Sequence, residues 1–175
     1  NVVHTYLDKN EFESYRIHIF KDKWVYVDEN DKEFPVNKDD FSIRTNGKTI
    51  TFDCVFNAIH GTPGEDGLMQ AYFELLNIPQ TSCDYYQAAL TFSKRDLLSV
   101  LKPYGIKSAP SYYLNMGDSI DLDAIVERVG LPCFVKANKA GSSFGISKVY
   151  KKEDLQSAIE LAYKEDNEII IEAFL

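Results

Sequence analysis

Alternating apolar and polar positions in the first third of the chain predict two β-hairpins. Tyr15–Phe20 alternates, and Lys23–Val27 follows it after two polar residues, which is typical of two antiparallel strands joined by a tight turn. A second pair of runs, Phe41–Thr45 and Thr49–Asp53, is joined by a segment that begins with Asn-Gly, a dipeptide favoured in hairpin turns. This part of the chain is therefore predicted to be rich in short antiparallel strands.

A strand, a polar loop and a helix are predicted next and together form a βα unit. Cys54–Ile59 is a short apolar run of the kind found in strands that are covered on both faces. The loop His60–Gly67 follows it, and because ligands bind at the C-terminal ends of strands in open α/β sheets, this loop is a candidate site. The apolar face of the helix, which should end near residue 77, consists of Leu68, Tyr72, Leu75 and Leu76.

A second, α+β unit is predicted from about residue 91, where Ser93 has the side chain of a helix N-cap. The elements after that helix are a strand at 111–114, a helix at 121–129, strands at 132–136 and 146–150, a helix at 155–162 and a buried strand at 168–172. We therefore predict domains at 1–90 and 91–175. Because an apolar strand at the very end of the chain would leave an unfinished sheet edge, we expect that the polypeptide is truncated.

Composition and charge narrow the possible functions. The chain has 175 residues, of which 45% are hydrophobic, and its formal net charge is −8. Without a basic stripe, this balance argues against binding to nucleic acid or to an anionic membrane surface. No run of 18 apolar residues is present, and the three cysteines are odd in number, as is typical of reduced thiols. We therefore predict a cytoplasmic protein.

The segment 136–145 (KANKAGSSFG) holds the strongest candidate chemistry. Its glycines allow backbone N–H groups to approach an anion, its serines add donors, and its lysines supply positive charge for phosphate. It is not a P-loop, because its glycine spacing is one residue short and a strand follows it. The alternative is a flexible hairpin loop with solvated lysines, but Lys136 lies on an otherwise apolar strand, where an unpaired ammonium is costly.

Further charged residues occupy positions that favour ligand binding. Lys94 would lie in the first turn of its helix, where a cation costs roughly 0.3–1 kcal/mol unless a bound anion reverses the effect. His60 could polarise a substrate, and Glu65 and Asp66 could bind a cation or an amine. Glu172 on a buried strand requires a hydrogen-bonding partner. The alternatives are that Lys94 points into water and that the acidic loop is a surface turn.

Taken together, these motifs resemble the D-alanine–D-alanine ligases of the ATP-grasp superfamily. The matching segments follow in order between residues 57 and 175: HGTPGEDG at 60–67, SK at 93–94, GLP at 130–132, VK at 135–136, GSSFGISKV at 141–149 and IE at 171–172. The resemblance implies an α/β fold. A Rossmann-like pre-ATP-grasp domain, lacking its first strand and glycine-rich segment, would be followed by the small α+β subdomain of an ATP-grasp fold.

The resemblance also implies roles for individual residues. The implied catalytic residues, beside the first D-alanine and the phosphates, are His60, Glu65 and Ser142. The implied ATP-binding residues are Lys94, Lys136, Gly141, Ser142, Ser143, Gly145, Ile146, Glu172, Ala173, Phe174 and Leu175. In this scheme the two lysines contact phosphates, Gly141–Gly145 closes over them, and Glu172–Leu175 lines the adenine pocket.

The reaction that the resemblance implies uses ATP and Mg²⁺ (or Mn²⁺) to join two D-alanines through an acyl phosphate, for peptidoglycan precursor synthesis, in a homodimeric enzyme. No metal ligand is predicted within this chain, because the family's acidic ligands belong to a further C-terminal domain. Ser93 stands where the family usually has Asp, and Ala137 where it usually has Pro. A ligase for D-alanine and D-lactate and a non-catalytic nucleotide-binding module are the alternatives.

Overall fold

A computed structural model describes residues 2–142 and 144–175 and divides them into two compact units. The first unit comprises residues up to 55 and the segment 74–79. It contains a short helix, α1 (Val2–Tyr6), and five strands: β1 (Arg16–Ile19), β2 (Trp24–Val27), β3 (Glu33–Pro35), β4 (Ile43–Thr45) and β5 (Lys48–Ile50). Strands β1 to β3 form one antiparallel sheet and β4 pairs with β5, around a core of Val25, Val36, Phe41 and Ile43.

Both predicted hairpins are confirmed, with shorter strands than the sequence suggested. In the second hairpin, Asn46 and Gly47 have φ angles of 50° and 75°. A two-residue hairpin turn requires this left-handed backbone, because its twist then matches the twist of the two strands it joins. Because two residues suffice for the turn, Lys48 already belongs to β5 and pairs with Thr45.

The predicted buried strand at Cys54–Ile59 is wrong. Its only bridge-like position among the described residues is Val55, whose N–H donates to the Pro79 carbonyl at 2.8 Å, and Phe56 is 58% exposed. An apolar run becomes a buried strand only where neighbouring strands supply hydrogen bonds on both sides. Here the Asn57 side chain turns the backbone instead, by accepting from the Ile59 N–H at 3.1 Å.

The second unit comprises residues 56–73 and 80–175. Its helices are α2 (Leu68–Leu75, which runs into the first unit's segment), α3 (Tyr85–Phe92), α4 (Lys94–Leu101), α5 (Leu122–Val129) and α6 (Leu155–Ala162). Its strands are β6 (Ser111–Asn115), β7 (Cys133–Ala137), β8 (Ser147–Val149) and β9 (Glu168–Ala173). They form one antiparallel sheet in the order β6-β9-β7-β8, which confirms the α+β layer predicted from the sequence.

Helices α5 and α6 supply the main core against one face of this sheet. Inward positions of α6, such as Leu155 and Ile159, pack with Cys133 and Val135 of β7 and with Ile171 of β9, all at 0% exposure. The 3.6-residue spacing of Leu155, Ala158, Ile159 and Ala162, which predicted α6, is thus the spacing of its buried side chains. Alternation along β7 and β9 sends Phe134, Lys136 and Glu172 to the opposite face, where the candidate site lies.

The apolar face predicted for α2 is also wrong. The structure buries Met69, Gln70 and Phe73, whereas Leu68 and Leu75 are 60% and 82% exposed. The buried face includes a polar residue because the Gln70 Nε2 donates to the Gly64 carbonyl at 2.6 Å. That hydrogen bond offsets the desolvation of the Nε2, although the Oε1 is buried without a hydrogen-bond partner among the described residues, so polarity alone misidentified the inward face.

Candidate functional site

Lys94 begins helix α4, in the position predicted from the sequence. The chain leaves α3 at Ser93, whose extended backbone breaks the helix and whose hydroxyl accepts from the Asp96 N–H at 3.4 Å, which confirms Ser93 as the N-cap. The Lys94 side chain is half-buried, and its Nζ donates to the carbonyl oxygens of Asn138 and Ala140 at 3.1 and 3.2 Å. The ammonium is therefore held against the segment that follows β7, and does not point freely into water.

Burial and charge both act on this ammonium. Desolvation lowers the pKa of Lys94 below its ordinary value of 10.5, and the positive charge of Lys136 lowers it further, against the opposing effects of Glu172 and Asp166. The two lysines are therefore close enough for their charges to interact. A cation at the start of a helix, with a second lysine affecting its pKa, forms a site whose electrostatics favour an anion, and the second lysine is paired with Glu172.

Lys136 and Glu172 form an ion pair on the open face of the sheet. Their strands β7 and β9 are neighbours, with Phe134 directly opposite Glu172, so Lys136 reaches Glu172 diagonally and its Nζ lies 2.5 Å from the Oε2. The two side chains are only 24% and 16% exposed. The ammonium of Lys136 and the carboxylate of Glu172 are therefore each other's partner, as a charge on a buried strand requires.

The loop His60–Gly67 lies against the segment that follows β7. The Glu65 Oε2 accepts from the Gly61 N–H at 2.5 Å, which closes the loop on itself. A Cβ placed on Gly141 would lie 2.9 Å from this Oε2 and 3.4 Å from the Gly61 Cα. A side chain at 141 would therefore have to displace the Glu65 carboxylate, which ends a flexible side chain, so glycine at 141 preserves the position of Glu65.

Lys94, the loop residue Glu65 and the segment that follows β7 line one open cleft of about 300 Å³ within the second unit, whereas Lys136 and Glu172 are not among its lining residues. Its lining residues are Glu65, Thr91, Phe92, Lys94, Ala140, Gly141 and Ser142. Ser142 has a φ of 50° at the lip of the cleft. A larger groove of about 510 Å³ between β8 and α6 carries Lys148 and Lys164 beside Asp154 and Glu160, but none of the predicted site residues.

The other predicted residues, in the described part of the chain, do not line this cleft. His60 is exposed, and Ile146 is half-buried just before β8. Gly145, with a φ of 66°, packs against the end of α6 near Glu165. Ser143, predicted to bind phosphate, lies outside the described residues.

At the end of the chain, Ala173 closes β9, and the Phe174 ring packs 5.9 Å from that of Phe134. Lys148 lies over the same Phe174 ring, with its Nζ 3.5 Å from the centroid. Leu175 is 90% exposed. The face of the sheet beside the Lys136–Glu172 pair thus presents aromatic rings and cations together.

Sequence reasoning missed Asn138, Thr91 and Phe92. Asn138 is fully buried, and its side chain contacts both α4 and β9. An asparagine directly after a buried strand is the signal that could have drawn attention to it, since an amide at such a position must find partners. Thr91 and Phe92 end helix α3, which the sequence analysis did not predict.

Among the described residues, no group of three or more His, Cys, Asp or Glu side chains could hold a metal ion. Within the same part of the chain, no helix is long and apolar enough to cross a membrane. Glu65, which lines the cleft, accepts a hydrogen bond from a backbone amide, and Glu172, on the open face of the sheet, pairs with a lysine.

Comparisons with known structures identify the fold. A D-alanyl-alanine synthetase A from Vibrio cholerae aligns with 95% of this chain and 50% of its own, with a TM-score of 0.82 and 26% identity. The D-Ala:D-Ser ligase VanG from Enterococcus faecalis aligns with 99% of this chain and 56% of its own, with a TM-score of 0.79 and 30% identity. The fold is therefore the predicted one, a pre-ATP-grasp domain followed by ATP-grasp elements.

Sequence comparisons narrow the class to one family. The family model for the D-ala D-ala ligase N-terminus matches residues 1–83, and that for the D-ala D-ala ligase C-terminus matches residues 100–175. D-alanine–D-alanine ligases of Flavobacterium johnsoniae and Phocaeicola vulgatus are 74% and 41% identical over 100% and 99% of this chain. The chain belongs to the D-alanine–D-alanine ligase family, and it spans about half the length of these curated relatives (54% and 53%).

Proposed function

We propose that this chain carries the phosphate-binding part of an ATP-dependent ligase that joins two D-alanines. The observation that carries the proposal is the meeting of Lys94, at the start of α4, with Glu65 and the Gly141–Ser142 segment at one cleft. Membership of the D-alanine–D-alanine ligase family supports ATP and D-alanine as the substrates. We further propose residues 1–90 as the pre-ATP-grasp domain and 91–175 as the ATP-grasp subdomain, in a cytoplasmic homodimer.

The electrostatics support phosphate as the ligand of the cleft. The ammonium of Lys94 is half-buried between two carbonyl oxygens, which carry only partial negative charges. A phosphate oxygen would supply a full negative charge and would also interact favourably with the N-terminus of α4. Lys136 would contribute the second cation, and the amides of Gly141 and Ser142 would donate hydrogen bonds.

In this scheme, His60 and Glu65 lie beside the first D-alanine. The carboxylate of that D-alanine attacks the γ-phosphorus of ATP and ADP leaves, which gives an acyl phosphate. The amine of the second D-alanine then attacks the acyl carbon, phosphate leaves, and the amine loses a proton. Lys94 and Lys136 stabilise the charge on the transferring group, which is the main requirement of phosphoryl transfer.

We propose that Glu172–Leu175 lines one side of the adenine site, where Glu172 would accept from the exocyclic amine. Ile146, Phe174 and the exposed Leu175 would supply apolar contacts to the base. A divalent cation, Mg²⁺ or Mn²⁺, would neutralise the phosphates. Because the described residues contain no metal-binding cluster, no step of the scheme is assigned to a metal ligand of this chain.

The test is product analysis with the whole protein, ATP, Mg²⁺ and a panel of acceptors: D-alanine, D-serine and D-lactate. We expect phosphate release that depends on D-alanine and matches the D-alanyl-D-alanine formed. Faster product formation with D-serine would instead support a D-Ala:D-Ser ligase, which the likeness to VanG makes the relevant second candidate. Phosphate release without any ligated product would contradict the proposal.

A further inference from the structure

Asn138 joins the strand that carries Lys136 to the helix that carries Lys94. It follows β7 directly and is fully buried. Its Nδ2 donates to the Ser93 Oγ at 3.1 Å and to the Glu168 Oε2 at 2.8 Å, while its Oδ1 accepts from the Arg95 N–H at 2.9 Å. All the hydrogen-bonding groups of the amide are therefore used, and two of its three partners are the N-cap Ser93 and Arg95 at the start of α4.

The backbone of Asn138 contacts the same turn. Its carbonyl oxygen accepts from the Lys94 Nζ at 3.1 Å and from the Lys94 N–H at 3.4 Å. Its own N–H donates to the Glu168 carbonyl at 2.8 Å, which ties it to the start of β9. The Ala140 carbonyl, two residues later, takes the second hydrogen bond of the Lys94 ammonium.

We infer that Asn138 is a positioning residue that sets where the Lys94 ammonium stands relative to the Gly141–Ser142 segment. Three consecutive residues, 93 to 95, are held by one amide and its carbonyl, so a shift of Asn138 displaces the helix N-terminus and the ammonium together. The inference rests on the proposed phosphate site, because it concerns how that site is held. It predicts that changes at Asn138 act on nucleotide binding through Lys94.

A purely structural role predicts something different. Loss of a buried amide lowers the melting temperature, but a variant that is still folded would then bind nucleotide normally. A positioning role predicts weaker nucleotide binding at temperatures where the protein is folded, with the KM for D-alanine nearly unchanged. The matched control is Asn115→Ala, because Asn115 also contacts α4, through Arg95 Nη1 at 2.8 Å, but it does not contact Lys94.

Exchanging donor and acceptor gives a rescue test. Asn138→Asp removes the Nδ2 donor and leaves a carboxylate beside Glu168. The double variant Asn138→Asp/Glu168→Gln returns a donor to that contact and has the same net charge as the natural protein. We expect Asn138→Asp to weaken ADP binding roughly tenfold, equivalent to about 1.4 kcal/mol, and the double variant to recover most of it. Because the exchange keeps the side-chain size, it also serves if Asn138→Ala does not fold.

The experiment is calorimetric titration of the whole enzyme with ADP and Mg²⁺, together with the KM for ATP and for D-alanine. In a Lys94→Ala background, Asn138→Asp should have no further effect on ADP affinity, because the two residues act as one unit. Normal ADP affinity of Asn138→Asp, or effects that add to those of Lys94→Ala, would overturn the role of Asn138 alone. If Lys94→Ala itself binds ADP normally, the phosphate site fails, and the role of Asn138 fails with it.

Discussion

Replacing Lys136 with methionine tests the ion pair on the open face of the sheet. Methionine keeps most of the length of the apolar stem but removes the ammonium, so the Glu172 carboxylate loses the partner that lies 2.5 Å away. Its other neighbours on this face include Phe134, directly opposite on β7, which cannot solvate a charge. The variant therefore leaves a mostly buried carboxylate without its direct partner, with the more distant charge of Lys94 to compensate it.

The size of the effect follows from the burial of the pair. Breaking a fully buried ion pair by removing one partner costs about 3–5 kcal/mol. Because the two side chains retain 24% and 16% exposure, water can partly solvate the remaining carboxylate. We therefore expect Lys136→Met to lower the free energy of unfolding by about 1–3 kcal/mol. Lys136→Met/Glu172→Gln, which removes both charges, should lie within about 1 kcal/mol of the natural protein.

The assay is urea denaturation of the whole protein followed by circular dichroism, with ADP titration of each variant beside it. The single variant should unfold at lower urea and the double variant should recover, while both bind ADP more weakly because both lack the cation. Equal destabilisation of the single and double variants would refute the argument that the carboxylate left without its direct partner is the cause. Unchanged ADP binding in both would refute the assignment of Lys136 to phosphate.

Three further predictions concern the cleft and its surroundings. Gly141→Ala should lower kcat/KM by at least about tenfold in a phosphate-release assay, because its Cβ would displace the Glu65 carboxylate from its present position. Wild-type kinetics would contradict the view that this position of Glu65 matters for the reaction. The pKa of Glu168 is lowered, first by the hydrogen bond from Asn138 and then by Lys139. Its contribution to stability is therefore present above its ordinary pKa of 4.5 and is lost as pH falls through the lowered value. Glu168→Gln should reduce this loss of melting temperature at acid pH in thermal melts. Because phosphate prefers the charged form of Lys94, ADP affinity should fall as pH rises through its lowered pKa, below 10.5, and Lys94→Met should abolish that fall.

The sequence predicted best those elements whose pattern and end signals agree. Helix α5 has Asp121 as its N-cap, accepting from the N–H groups of Asp123 and Ala124, and Gly130 just beyond its end. The sequence placed this helix at 121–129, ended by Gly130, and the structure has it at Leu122–Val129, with Asp121 as its N-cap. The run at residues 54–59 carried an apolar pattern alone, and its structure depends on partners that a local pattern does not contain.

The candidate site was predicted in its residues but not in its connections. Lys94, Glu65, Gly141 and Ser142 were each selected from the sequence, and the structure brings them to one cleft. The Lys136–Glu172 pair depends on the register between β7 and β9, which residue type does not reveal. Asn138 was missed for the same reason, because its partners lie 45 and 30 residues away along the chain.

The central claim, that Lys94 and Lys136 together bind the phosphates of ATP, is tested most directly by calorimetric titration with a non-hydrolysable ATP analogue and Mg²⁺. The samples are the whole protein, its Lys94→Ala/Lys136→Ala variant and Lys152→Ala as the matched control, since Lys152 forms an exposed ion pair with Asp123 away from the cleft. We predict that the control binds as the natural protein does and that the double variant binds at least about a hundredfold more weakly, or about 2.7 kcal/mol. Equal affinity in all three proteins would contradict the account.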